Sequence, residues 1–151
     1  MEIERKFLIP DLSVVPNGIT AYSFHDMEQG YLSTNPVLRV RKEDDTYYCT
    51  YKGGGMLARE EYNLPLTKES YEHLIKKADG VIITKRRYLI PLENNLTCEL
   101  DVFQGKYEGL YLAEVEFSSE EEANAFIPPQ WFGEDVTFDG RYHNSNMSKG
   151  E

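Results

Sequence analysis

At 151 residues the chain has the size of one domain around one core, and its 40% hydrophobic and 28% charged residues suit a water-soluble fold. A net charge of −10 argues against nucleic acid and anionic membrane surfaces as partners, since both need a basic patch, and no run approaches the roughly eighteen apolar residues of a membrane span. An acidic total does not exclude an anionic small ligand, because a polyphosphate held through metal ions needs carboxylates as well as cations.

The chain opens on alternating charge, Met1-Glu2-Ile3-Glu4-Arg5-Lys6, with no apolar leader. A cytoplasmic location is therefore expected, where the sequons at Asn95 and Asn146 carry no meaning. Eight short alternating runs bounded by turn residues predict strands. They lie near Glu2 to Ile9, Tyr22 to Ser33, Val37 to Glu43, Thr46 to Lys52, Leu57 to Leu66, Val81 to Pro91, Leu96 to Phe103 and Leu110 to Ser118. Asp44-Asp45, Gly53-Gly54-Gly55, Asn94-Asn95 and Gln104-Gly105 are short hairpin turns, as an antiparallel meander requires. The triple glycine has no Gly-Lys-Ser/Thr and no helix after it, so it is a flexible hairpin and not a phosphate loop.

Two helices interrupt the meander. Thr67 is a candidate N-cap for the first, whose apolar residues Tyr71, Leu74, Ile75 and Ala78 run to a stop at Gly80. Ser119 with Glu122 forms a capping box for the second, which Pro128 and Pro129 end. Trp131-Phe132 is expected as a packing anchor, and residues 144–151 as a short helix near one end of the barrel or a frayed tail. Cys49 and Cys98, far apart and without a Cys-x-x-Cys, are expected to be reduced structural thiols. His25, His73 and His143 share no ligand spacing and are expected on the surface or at caps.

Residues of equal parity share a strand face, and here one face is charged almost throughout. It carries Glu2, Glu4 and Lys6, then Arg39 and Arg41, then Lys52, then Arg59 and Glu61. Lys85 and Arg87, Glu99 and Asp101, and Glu114 and Glu116 continue it. The other face holds Ile3, Phe7, Leu38, Val40, Cys49, Tyr51, Leu100, Val102, Val115 and Phe117. A charged sheet face is ordinarily the solvated one. In this chain, however, cations pair on some strands and carboxylates on others, as a binding surface would require. If the sheet closes with that face inward, seven cations and seven carboxylates converge in an eight-stranded barrel wide enough for one small ligand. A Glu-x-Glu pair sets two carboxylates about 7 Å apart on one side of a strand, suited to a hard cation such as Mg²⁺ or Mn²⁺. Three such acidic pairs suffice for a two-metal site.

The opening Glu2-Ile3-Glu4-Arg5-Lys6 resembles the ExExK signature of the triphosphate tunnel metalloenzymes, the CYTH superfamily. The likeness continues in order through Gln29-Gly30-Tyr31-Leu32, Leu38-Arg39-Val40-Arg41, Lys52, Arg59-x-Glu61-Tyr62 and Lys85-x-Arg87-Tyr88. Glu99-Leu100-Asp101, Glu114-Val115-Glu116, Trp131-Phe132-Gly133 and Arg141-Tyr142-x-Asn144 carry it to the end, and it is nearest to the short bacterial inorganic-triphosphatase branch.

The resemblance implies an all-β-dominated chain forming a closed, eight-stranded antiparallel barrel, a tunnel open at both ends with a few flanking helices. It implies metal-dependent hydrolysis of tripolyphosphate to pyrophosphate and phosphate, with Mg²⁺ or Mn²⁺ on Glu2, Glu4, Glu114 and Glu116 and with Glu99 and Asp101 nearby. Lys6, Arg39, Arg41, Lys52, Arg59, Lys85 and Arg87 are expected to bind the triphosphate, and Lys6, Tyr31 and Glu61 to take part in the catalytic step. Asn63 stands where relatives commonly have a carboxylate, and His143 and Ser145 where they often have lysine. A class IV adenylate cyclase, a thiamine or nucleoside triphosphatase and a non-catalytic polyphosphate sensor remain open, as does oligomeric state, a homodimer included. Inorganic triphosphate is favoured because no inserted loop offers to hold a base.

Overall fold

The computed structural model describes residues 1–150. Nine strands are present: β1 (Glu2–Leu8), β2 (Phe24–Thr34), β3 (Val37–Glu43), β4 (Thr46–Lys52), β5 (Ala58–Arg59), β6 (Glu61–Pro65), β7 (Asp79–Pro91), β8 (Thr97–Phe103) and β9 (Tyr111–Glu116). They are bonded in the order β5-β1-β9-β8-β7-β2-β3-β4-β6. The two ends of that order, β5 and β6, are consecutive in the chain and separated only by Glu60. Before Glu60 the backbone pairs with β1, Arg59 lying opposite Glu2; after it, Glu61 lies opposite Lys52 of β4. The expected eight-stranded ring therefore forms, with its fifth strand broken at the corner where the ring comes round to close. The Gly53 amide donates to the Glu60 carbonyl at 3.0 Å and Arg59 Nε to the Gly53 carbonyl at 3.2 Å, which ties the triple-glycine loop to that corner.

Helix α1 (Lys68–Ile75) begins as its sequence indicates, with the Thr67 hydroxyl accepting from the Ser70 amide. It ends earlier than expected, at Ile75. Gly80 lies instead within β7 at φ +67°, where the neighbouring Val81 amide donates to the Ser148 carbonyl at 2.6 Å. Gly30 of β2 lets this helix approach: a Cβ there would stand 2.7 Å from Ala78 Cβ and 2.8 Å from Ile75 Cδ1. In α2 (Glu120–Ala125) the Ser119 hydroxyl accepts from the Glu122 amide, but Glu122 returns its carboxylate to the Ser118 hydroxyl, so only half of the capping box forms. The C-terminal tail contains the short helix α3 (Asn144–Met147).

Apolar residues of the outer face pack under flanking segments. Phe7, Ile9, Ile90, Cys98, Leu100 and Ala113 are buried beneath Phe126, Trp131 and Phe132, with the Trp131 and Phe132 ring centroids 4.6 Å apart. The expected anchor is therefore in place. Ile3, Val115 and Phe117 lie against Ala123 of α2. A further cluster forms from residues of the inward parity at one end of the strands, where charge gives way to Leu8, Tyr31, Val37, Ile83, Phe103 and Leu112. These close around Met147 of α3 and Tyr142, so the tunnel-like barrel is packed with apolar side chains at that end.

Candidate active site

Above the apolar stopper the barrel encloses a cavity of about 390 Å³. Of the charged residues predicted to face inward, all but Asp101 line it: Glu2, Glu4, Lys6, Arg39, Arg41, Lys52, Arg59, Glu61, Lys85, Arg87, Glu99, Glu114 and Glu116. Tyr31 is there too. The cavity meets solvent beside Asn63 and Glu116, which are exposed, whereas Lys85 is almost completely buried. Strand alternation alone produces this inner wall; its solvation differs from mouth to floor.

At the floor, carboxylates and cations neutralise each other. Asp101 is fully buried and spent on two partners: Lys85 Nζ donates to Oδ2 at 2.7 Å, Arg87 Nε to Oδ1 at 2.7 Å and Arg87 Nη2 to Oδ2 at 2.9 Å. Burial alone would raise its pKa, but the charges of Arg87 and Lys85 outweigh that and hold it below the ordinary carboxylate range. Arg87 also reaches Glu99 at 3.1 Å and Glu114 at 3.3 Å. Lys6 Nζ lies 3.3 Å from Glu114 and donates to the Tyr142 carbonyl at 3.0 Å. Burial opposes the charge on Lys6, yet Glu114, Glu4 and Asp101 prevail and its pKa is raised. Tyr31 makes no hydrogen bond to Lys6 among the described residues; its hydroxyl accepts from Gln29 Nε2 at 3.1 Å.

Nearer the mouth, Lys52 Nζ lies 2.9 Å from Glu2 and 3.4 Å from Glu61. Burial raises Glu2 to about 7, whereas Glu61 falls to about 2 because its hydrogen bond with Glu2 and the charge of Lys52 overcome its own burial. A hydrogen bond between these two carboxyl groups requires a proton shared between them.

Two groups of residues remain unneutralised. Among the described residues, no carboxylate lies within ion-pair distance of Arg39 or Arg41, although each is only 6% exposed. Arg39 Nη2 donates to Thr50 Oγ1 at 3.2 Å and its Nε is a buried donor with no acceptor. Arg41 donates from Nε to Gln29 Oε1 at 2.8 Å and from Nη1 to the Tyr48 hydroxyl at 3.3 Å. Burial, with Arg39 and Arg87 close by, lowers the Arg41 pKa. On the acidic side neither Glu4 nor Glu116 has an ion-pair partner among the described residues, and Glu4 is pushed up to about 8 by burial and by the charges of Glu114 and Glu2. Among the described residues no three carboxylates converge as a ready-made metal cage, since Lys6, Lys52 and Arg87 stand between them.

Tyr48, Thr50 and Gln29 share the parity of Lys52 and Tyr31, so a fuller reading of the same alternation would have found them. His143 is the N-cap residue of α3, in keeping with the expected cap, but it also lines the cavity, with Nε2 3.1 Å from the Thr137 carbonyl. Burial and then Lys6 lower its pKa. Asn144 and Ser145 line the cavity as well. Nothing local in the sequence brings residues 143–145 to the lumen, because they arrive from the tail.

The sequence profile of the CYTH domain matches residues 1–149. An inorganic triphosphatase of Nitrosomonas europaea is 42% identical over 97% of this chain and 96% of its own length. One of Acetivibrio thermocellus is 35% identical over 98% and 93%. The crystal structure of the inorganic triphosphatase NE1496 superposes with a TM-score of 0.71 at 39% identity, covering 99% of this chain and 95% of that one.

Proposed function

Since the chain belongs to the CYTH domain family, we propose that it hydrolyses inorganic triphosphate to pyrophosphate and phosphate inside the barrel, with divalent metal ions as cofactors. The observation that carries this reading is the separation of unneutralised charge in one cavity: buried guanidinium groups without carboxylates at Arg39 and Arg41, and carboxylates without cations at Glu4 and Glu116. Burying a guanidinium with no counter-ion costs on the order of several kcal/mol, and Glu4 is driven toward its neutral form instead. A ligand that carries phosphate oxygens to the first group and metal to the second relieves both. The shared substrate named for the two relatives supports the choice of triphosphate.

The donor set fits a hard cation. It consists of oxygens only, and a divalent ion would favour the charged form of Glu4 against the burial, and then the charges of Glu114 and Glu2, that raise it. Glu2, Glu4, Glu114 and Glu116 would hold Mg²⁺ or Mn²⁺, with Glu99 beside them; Asp101, saturated by Lys85 and Arg87, is better suited to bracing those two cations. Metal bound there would neutralise phosphate charge and make a bound water more acidic. The protein's own contribution is positioning and electrostatics. Arg39 offers its free Nε and Arg41 its fork to the phosphate oxygens, with Arg59, Lys85 and Arg87 completing the basic lining. Lys6, kept charged, stabilises negative charge that develops on the leaving pyrophosphate, and the Tyr31 hydroxyl fixes the adjoining Gln29. Glu61 holds Lys52 and stands beside Glu2 at the cavity wall, from where it takes part in the catalytic step.

The test is phosphate release from tripolyphosphate, ATP and thiamine triphosphate, each with Mg²⁺, with Mn²⁺ and with EDTA. Tripolyphosphate should be cleaved fastest with metal and not at all in EDTA. Full turnover in EDTA would overturn the metal assignment, and preferred cleavage of ATP or thiamine triphosphate the substrate assignment.

A further inference from the structure

Arg41 is held by an unbroken chain of buried hydrogen bonds whose direction is forced at one end. Lys85 Nζ donates to Asn144 Oδ1 at 2.8 Å. Burial pushes the Lys85 pKa down to about 7, so the direction is fixed from the other end: a guanidinium has no acceptor, and Gln29 must turn its oxygen toward Arg41 Nε, 2.8 Å away. Gln29 therefore presents its NH₂ to Asn144, which must offer Oδ1 at 3.0 Å, with the Tyr31 hydroxyl as the second acceptor at 3.1 Å. Gln29 is fully buried and Asn144 is 8% exposed, so water cannot readily replace these contacts. The chain of contacts is also neutral: it fixes a guanidinium without cancelling its charge, which a carboxylate at either position would do.

From this geometry we propose that Asn144 of α3 is a positioning residue for the triphosphate, acting through Gln29 to aim Arg41. The orientation of Arg41 in the binding wall is then set in part by whether the C-terminal segment is docked. That segment is tied down by the Val81 amide on the Ser148 carbonyl at 2.6 Å, the Tyr107 hydroxyl on the Met147 carbonyl at 2.5 Å and Met147 in the apolar stopper. The inference rests on the triphosphate reading above and adds a residue with no charge to its binding machinery.

A double-mutant cycle tests it. Asn144→Ala leaves Lys85 its bond to Asp101, so the melting temperature should move by about 3 °C, the scale of one hydrogen bond in a chain of this size. KM for tripolyphosphate should rise about tenfold with kcat little changed. In an Arg41→Ala background the same substitution should change KM by less than about twofold, because the residue it acts through is gone. If Asn144→Ala does not fold, Gln29→Met interrupts the same contacts while leaving α3 its bond to Lys85, and it should reproduce both results. Full, additive effects in the Arg41→Ala background, or an unchanged KM in both single variants, would overturn the proposal. Calorimetric binding of tripolyphosphate in EDTA provides the same cycle without turnover, so a failure of the hydrolysis reading would be seen separately from a failure of the Asn144 assignment.

Discussion

Arg41 and Lys85 are cations buried in the same lumen, but they are held by opposite means. Lys85 is neutralised by Asp101, whereas Arg41 is held only by the neutral acceptors Gln29 and Tyr48 and lies close to Arg39 and Arg87. Truncation at the two places should therefore differ in sign of consequence. Arg41→Ala loses two hydrogen bonds and sheds repulsion, so in urea melts without ligand it should stay within about 1 kcal/mol of wild type. Its kcat/KM should fall roughly ten- to hundredfold, as for loss of a charged hydrogen-bonding group. Asp101→Ala strands two buried cations and should cost about 3–5 kcal/mol of stability before any substrate is added. An Arg41→Ala protein that melts far below wild type and keeps its kcat/KM would mark Arg41 as structural.

At the scale of elements, β7 links the site to the tail, and Gly80 is where the link can be broken. Its φ of +67° disfavours a side chain, and a Cβ would fall 2.0 Å from the Ser148 carbonyl oxygen. Gly80→Ala should thus cost about 2 kcal/mol or more in a urea melt and raise KM as the tail is displaced. If stability drops and KM does not, the tail braces the fold without serving the site. This element also shows where sequence reading stops. The strands, the inward charged face and the caps at Thr67 and Ser119 were legible because each follows from a local period or spacing. Gly80 was read as a helix stop because positive φ serves a strand bend equally well. The lumen role of Asn144 was invisible, since its partners Lys85 and Gln29 lie 59 and 115 residues away and only the closed ring brings them together. The stopper was present in the parity of Leu8, Ile83, Phe103 and Leu112, but a run of apolar residues at strand ends looks the same whether a strand is ending or a barrel is being filled.

For the whole molecule, the protons on its acidic side link stability to pH. Glu4 and Glu2 are raised in the folded state to about 8 and about 7 from an ordinary 4.5, so the folded protein binds more protons than the unfolded chain between those values. The stability they contribute is complete below pH 4.5 and is lost as pH rises through about 8. In EDTA the melting temperature should fall across this window, and Glu4→Gln should flatten the fall. If Glu2 and Glu4 hold Mg²⁺ as proposed, the ion displaces the same protons and its affinity should strengthen with pH, by up to about tenfold per unit for each proton displaced. A melting temperature in EDTA that rises between pH 5 and 8 would contradict this account. The stopper of Met147, Tyr142 and the apolar strand ends has a consequence of another kind. Apolar packing at that end leaves the charged wall to be reached from the other: a phosphate chain coming in beside Asn63 and Glu116 passes Lys52 before it meets Arg41 and Lys85.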